Sequence, residues 1–186
     1  MKILVIASDG SEDSELVTTT SILKRAGIEC HILSCTDNLV ITGSHGSRIV
    51  SDNLYSKETT QGLLDYSGIF FPGGKKACAS IRDNKDVLNL VRMYNDRAKP
   101  LFAICAGPTI LGESGIMMGK RFTCYDGFEN YIKDGIYVAK APVVQDGYII
   151  TGRSAGYTME FALQIVRYLL GEEKENQIKK ALLLEV

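Results

Sequence analysis

The opening of the chain limits the fold more than any other stretch. Ile3-Leu4-Val5-Ile6-Ala7 is continuously apolar, Asp9-Gly10-Ser11 interrupts it, and Glu12 to Ala26 then carries Leu16, Leu23 and Ala26 behind an acidic first turn. An unbroken apolar run predicts a strand covered on both faces, and the spacing after it predicts a helix. Gly27 closes that helix and Ile28 to Ser34 reads as a second strand. Strand, helix and strand within so few residues make a βαβ unit, whose strands must run parallel.

The alternation resumes further along. Gly68 to Phe71 reads as a strand before Pro72-Gly73-Gly74, helices are expected over Lys75 to Ile81 and Asp86 to Arg97, and Leu101 to Ile104 reads as another strand. A short helix is expected from Thr109, then strand-like pieces over Arg121 to Cys124, Ile136 to Val138 and Tyr148 to Thr151. Tyr157 to Leu170 has a broad apolar helical face, and a polar helix over Glu172 to Leu182 ends the pattern. Between Thr36 and Asp65 the signal is weaker. Leu39 to Thr42 and Arg48 to Val50 flank Gly43-Ser44-His45-Gly46 as a hairpin at a sheet edge, and no helix is assigned to the polar stretch from Asp52 to Asp65.

At 186 residues, with no repeat, linker or low-complexity tract, the chain is expected to be one α/β domain over residues 1–186. Lysine plus arginine (21) nearly balance aspartate plus glutamate (22), which argues against nucleic acid or a membrane surface as partner. The five cysteines, Cys30, Cys35, Cys78, Cys105 and Cys124, are odd in number and lack metal-knuckle spacing, so neither a disulfide framework nor a structural zinc is expected. The first apolar run is too short for a secretion signal, and no run approaches the roughly 18 residues of a membrane span. A cytoplasmic protein is the expectation.

Cys105 carries the sharpest chemical signal. It follows an apolar strand and precedes Ala106-Gly107-Pro108, the small residues and helix-starting proline of a nucleophile elbow. A helix N-terminus there would favour thiolate over thiol. Pro72-Gly73-Gly74 ends a parallel strand at the same sheet edge, so a free N–H of Gly73 or Gly74, with that of Ala106, could form an oxyanion hole. Taken alone, the same tripeptide is only a turn. Glu15 begins the first helix at this edge; facing Cys105, it would keep its proton and donate it to the sulfur, whereas Glu12 and Asp13 read as solvated acids. The two histidines, His31 and His45, both precede Cys105, so a Cys-His-Glu amidotransferase arrangement is absent.

Ala103-Ile104-Cys105-Ala106-Gly107-Pro108, Phe71-Pro72-Gly73-Gly74 and Gly10-Ser11-Glu12-Asp13-Ser14-Glu15 together resemble the DJ-1/ThiJ/PfpI superfamily, in particular its DJ-1-like branch. Lys24-Arg25-Ala26-Gly27-Ile28, Gly152-Arg153-Ser154-Ala155-Gly156 and Glu160-Phe161-Ala162-Leu163 extend the likeness over nearly the whole chain. The resemblance implies a flavodoxin-like three-layer sandwich with a mostly parallel central sheet and helices on both faces, usually a homodimer. It implies Cys105 as the reactive cysteine, Glu15 as its protonated partner, and the amides of Gly74 and Ala106 as oxyanion donors, with no metal or organic cofactor. It also implies a cofactor-free glyoxalase or deglycase acting on methylglyoxal-type dicarbonyls or their adducts, linked to oxidative-stress protection through cysteine sulfinic acid.

A redox sensor or holdase chaperone working through Cys105 oxidation is the alternative, and thiamine-biosynthesis or peptidase roles occur among relatives. Three departures qualify the likeness. Tyr125 stands where the branch often has a histidine, and can serve as a hydrogen-bond donor but not as a base near neutral pH. Ala106 replaces the histidine that follows the cysteine in the peptidase branch, which argues against proteolysis. Ala155 stands where a proline is common.

Overall fold

The computed structural model describes residues 1–184. The chain runs β1 (Lys2–Ala7), α1 (Asp13–Arg25), β2 (Glu29–Ser34), β3 (Val40–Thr42), β4 (Arg48–Val50), β5 (Asn53–Leu54), α2 (Thr60–Leu64), β6 (Gly68–Phe71), α3 (Lys75–Arg82) and α4 (Lys85–Asn95). It continues through β7 (Leu101–Ile104), α5 (Pro108–Glu113), β8 (Arg121–Phe122), β9 (Ile136–Tyr137), β10 (Val143–Asp146), β11 (Ile149–Gly152), α6 (Thr158–Leu170) and α7 (Glu172–Ala181). Seven strands form the central sheet in the order β10-β11-β7-β6-β1-β2-β5. All pairings are parallel except that of β10 with β11.

Side-chain alternation along the strands builds one core on each face of the sheet. Leu4 and Ile6 of β1, Phe71 of β6 and Ala103 of β7 face a core shared with Cys78, Val91, Tyr94 and Ile110 from α3, α4 and α5. Ile3, Val5, Phe70, Phe102 and Ile104 face the other, shared with Leu16, Leu23, Phe161 and Val166 from α1 and α6. This is the three-layer sandwich expected from the sequence. The closure of α1 follows the expected chemistry too: Gly27 has φ 86°, and the Ile28 N–H reaches back to Leu23 O at 3.0 Å.

Three features differ from the sequence reading. The β3–β4 hairpin forms where expected but is a separate two-stranded sheet, and β5 takes the edge beside β2. The hairpin is held instead by the loop after β1: Gly10 N–H donates to Thr42 O at 2.8 Å, Ser44 N–H to Ser11 O at 2.8 Å, and Thr42 N–H to Asp9 Oδ1 at 2.9 Å. Within the segment assigned no helix, α2 forms one turn capped by the Thr59 hydroxyl on the Gly62 N–H. It is secured by the fully buried Tyr94, whose hydroxyl donates to Leu63 O at 2.6 Å. Finally, β10 supplies an antiparallel edge strand that the sequence pattern did not resolve.

Close backbone approach fixes the turn after β7. A Cβ at Gly107 would sit 2.7 Å from Phe71 O and 2.9 Å from Ile104 O. Gly107→Ala is therefore expected to lower the unfolding free energy by about 1–3 kcal/mol, as overpacking does. Gly156→Ala, where the nearest atom is 3.9 Å away, should shift it by no more than about 0.5 kcal/mol. Urea denaturation of the two variants checks this, and equal effects would contradict it.

Candidate active site

The strand order reverses at β1: the chain passes from β1 to β2 on one side and later returns to β6 on the other. Such a reversal opens a crevice at the carboxyl ends of the strands. Three chain segments meet there: the start of α1 after β1, Pro72-Gly73-Gly74 after β6, and Cys105 after β7.

Glu15 heads the buried stripe of α1, which continues through Thr19 and Ile22. Its residue is fully buried. Oε2 accepts the Gly73 N–H at 2.7 Å. The carboxyl also lies close enough to the Cys105 thiol to share a hydrogen bond, although Oε1 has no well-formed partner among the described residues. Burial, reinforced by the charge of Glu12, pushes Glu15 up to about 7 against the opposing pull of the Gly73 and Cys105 hydrogen bonds.

Cys105 occupies the left-handed region at φ 63°, a conformation that costs a non-glycine residue about 1–3 kcal/mol. Hydrogen bonds on both sides hold it there: Cys105 N–H donates to Gly152 O, Tyr125 N–H donates to Cys105 O, each at 2.9 Å, and Gly107 N–H closes the turn onto Ile104 O at 2.8 Å. The elbow expected from the sequence is present, with the sulfur half-buried. The expected drive toward thiolate from a helix N-terminus is not what governs it. Burial, the Glu15 charge and the Glu15 hydrogen bond push the thiol up, and only the Ala106 amide pulls it down. Two of the four upward effects, the last being the charge of Cys78, need an ionised Glu15. A protonated Glu15 removes both and becomes a donor to the sulfur, so the two groups titrate as a coupled pair.

The glycines have separate tasks. A Cβ at Gly73 would strike the Glu15 carboxylate and lie 2.6 Å from Cys105 Cβ and 3.1 Å from Sγ, so only glycine fits between the pair. Its N–H is committed to Glu15, which removes Gly73 from the expected oxyanion donors. Gly73 O accepts the Glu12 N–H at 3.0 Å. In a trans peptide the Gly74 N–H points opposite to that carbonyl, away from the start of α1. Gly74, at φ 98°, carries the remaining N–H of this turn, and the Ala106 N–H lies on the Cys105 sulfur. Tyr125 meets Cys105 through its main chain; its ring is half-exposed and packs edge-on against Phe128.

Two residues that read as solvated acids are structural. Glu12 caps α1, accepting the Glu15 N–H at 2.7 Å. Asp13 pins the hairpin by accepting the amides of His45 and Ser47 at 2.9 and 3.0 Å and the Ser44 hydroxyl at 3.2 Å. The spacing of Glu12 three residues before Glu15 was the available signal for the cap, but glutamate is a rare cap. Among the described residues, Glu12, Asp13 and His45 are the group near enough to share a cation, and the hydrogen bonds just given already occupy the Asp13 oxygens and Glu12 Oε2. No helix among them is long and apolar enough to cross a membrane.

Comparison with known proteins agrees with this fold. A model of the DJ-1/PfpI family matches residues 1–168. Protein DJ-1alpha of Drosophila melanogaster is 32% identical over 181 residues, covering 97% of this chain and 82% of its own. A protein named deglycase from Pyrococcus horikoshii is 31% identical over 154 residues, covering 82% and 90%. The crystal structure of Drosophila melanogaster DJ-1beta superposes with a TM-score of 0.91 at 30% identity, covering 100% of this chain and 98% of that one.

The raised Glu15 makes stability depend on pH. In the unfolded chain the group ionises near 4.5 and in the fold near 7, so between those values only the folded protein keeps the proton. The stabilisation is complete below about pH 4.5 and is lost as pH rises through about 7, a change of about 3 kcal/mol. Glu15→Gln should flatten this part of the profile, measured as urea midpoints between pH 5 and 8. A slope unchanged from the parent protein would contradict the assignment.

Proposed function

We propose, because the chain belongs to the DJ-1/PfpI family, that it is a cysteine-dependent, cofactor-free glyoxalase or deglycase acting on methylglyoxal-type dicarbonyls or their early adducts. The observation that carries this reading is the buried Glu15 carboxyl within hydrogen-bonding reach of the Cys105 thiol, with burial pushing Glu15 up to about 7. The deglycase names of the relatives from Pyrococcus abyssi and Pyrococcus horikoshii agree with it.

In the glyoxalase form, the Cys105 sulfur adds to the aldehyde carbon of methylglyoxal. An S–C bond forms, and the carbonyl electron pair moves onto oxygen. The Gly74 amide is a donor available to that alkoxide, the Ala106 amide turns to it as the sulfur gives up its charge to the S–C bond, and the Glu15 proton neutralises it. Glu15, now a carboxylate, removes the proton from the former aldehyde carbon; the hydroxyl proton on that carbon's oxygen passes to the neighbouring oxygen, and Glu15 returns its proton to the neighbouring carbon as the enediol collapses. The product is a thioester of lactate, which water hydrolyses to lactate while the thiol is regenerated. Oxidation of one carbon and reduction of its neighbour balance, so no external redox partner is required. In the deglycase form, the Cys105 sulfur replaces the amine at the carbinol carbon of the adduct: the S–C bond forms as the C–N bond breaks, the amine leaves with the Glu15 proton, and the resulting hemithioacetal follows the same course to lactate.

A second reading, oxidation of Cys105 to a sulfinate as a signal, draws support from the same pair: a protonated Glu15 can donate to a sulfinate oxygen. Among the described residues the other four thiols have no carboxyl hydrogen bond of this kind, and burial pushes them up as it does Cys105, Cys30, Cys35 and Cys124 to about 12.

Purified protein is expected to consume methylglyoxal without glutathione and to form lactate. Cys105→Ser and Glu15→Gln should each lower kcat/KM by at least about 100-fold, the usual scale for removing a nucleophile or a general acid–base. Unchanged turnover in either variant would remove this reading. Selective gain of two oxygens at Cys105 under mild peroxide, without dicarbonyl turnover, would favour the second.

A further inference from the structure

Glu12 takes no part in the chemistry above, yet it reaches the site from three directions. Its main-chain N–H donates to Gly73 O at 3.0 Å. Its Oε2 accepts the Glu15 N–H and the Ser14 hydroxyl, each at 2.7 Å. Its Oε1 faces His45 Nδ1 at 3.7 Å, and that imidazole also lies 3.5 Å from Asp13 Oδ2. Gly73 closes the circuit by donating its own N–H to Glu15 Oε2. One residue therefore holds the carbonyl of the glycine turn, the backbone of Glu15 and an imidazole of the β3–β4 hairpin.

We propose that Glu12 is a positioning residue for the Glu15–Cys105 pair: it locks the Gly73–Gly74 peptide and the Glu15 carboxyl in one register, and it keeps a negative charge beside their shared proton that His45 can offset. The inference rests on reading Glu15 as the proton partner of Cys105. An uncharged cap such as serine or asparagine would satisfy the helix end equally well, so the use of a carboxylate here needs another reason. Its charge raises the affinity of Glu15 for a proton. The other titratable or charged groups around the proton are Asp13 on α1, whose oxygens are taken by the hairpin, Cys105 itself, and Cys78 of α3, which responds to Glu15 and to Arg82. Of the groups around Glu12, His45 is the basic side chain it faces, and that side chain is largely exposed.

The test is the rate of Cys105 alkylation by iodoacetamide against pH, with the modified peptide identified by mass. Glu12→Gln keeps an acceptor for the Glu15 amide and loses only the charge. It should move the midpoint of the profile down by roughly one pH unit, the scale expected for a charge a few ångströms away. His45→Lys places a permanent cation beside Glu12 without touching the cap and should move the midpoint in the same direction. A purely structural role for Glu12 leaves both profiles on that of the parent, and that result, or an upward shift, overturns the proposal. Should Glu12→Gln fail to fold, His45→Lys at its exposed position decides alone. Alkylation needs no substrate, so shifted midpoints in a protein that turns over no dicarbonyl would keep this inference and discard the proposed function. Turnover with superposed profiles would do the reverse.

Discussion

A carboxyl group closed off from water next to a thiol is the constraint around which the crevice is arranged. An ionised, buried and unpaired carboxylate costs several kcal/mol, and no cation faces Glu15 among the described residues to offset it. Two answers are built into the chain. One is the Gly73 N–H, which favours the charged form; the other is retention of the proton, which avoids the cost. Because neither dominates, the group is balanced near neutrality, where a proton donor that must also act as acceptor is most effective. The amide of Ala106 contributes the corresponding balance on the sulfur side.

Holding this pair requires the backbone to accept strain in two places. Cys105 is left-handed, and Gly74 follows in the opposite loop at φ 98°. Neither conformation would persist in a free peptide. Each is fixed because its neighbours are already hydrogen-bonded to different elements: Cys105 to β11 and to the loop after β8, the Gly73 peptide groups to α1. The parallel sheet makes this possible, since β1, β6 and β7 lie side by side and deliver their outgoing loops to one edge. The cost of a few kcal/mol is spread over contacts that the fold makes in any case.

Much of this was legible in the sequence because it is local. The apolar run of β1, the closure of α1 at Gly27 and the small residues after Cys105 each have one physical reading, and the structure follows them. Glu15 was legible as a candidate because it begins a helix at the sheet edge that bears the cysteine. What escaped was set by partners distant in sequence. Which glycine N–H is free depends on the Glu12 N–H binding Gly73 O, across more than fifty residues of chain. The place of the hairpin depends on Asp13, and α2 depends on the hydroxyl of Tyr94 thirty-one residues away. β10 pairs at an edge in the one antiparallel register of the sheet, which a pattern of parallel strands does not announce.

The sharpest contrast in the molecule lies between Asp13 and Glu15, two carboxyls one helical turn or less apart. Partial burial pushes Asp13 up, but donors from Ser44, His45 and Ser47 outweigh it and hold the group well below the usual carboxylate range. Glu15 receives one amide and a thiol, and burial wins. Environments that separate neighbouring carboxyls in this way assign them different work. Asp13 stays ionised across the range in which Glu15 gains and loses its proton, so the clamp between hairpin and α1 does not change while the site titrates. The geometry of the crevice is thereby uncoupled from its protonation state, which allows a proton to be passed without moving the groups that pass it.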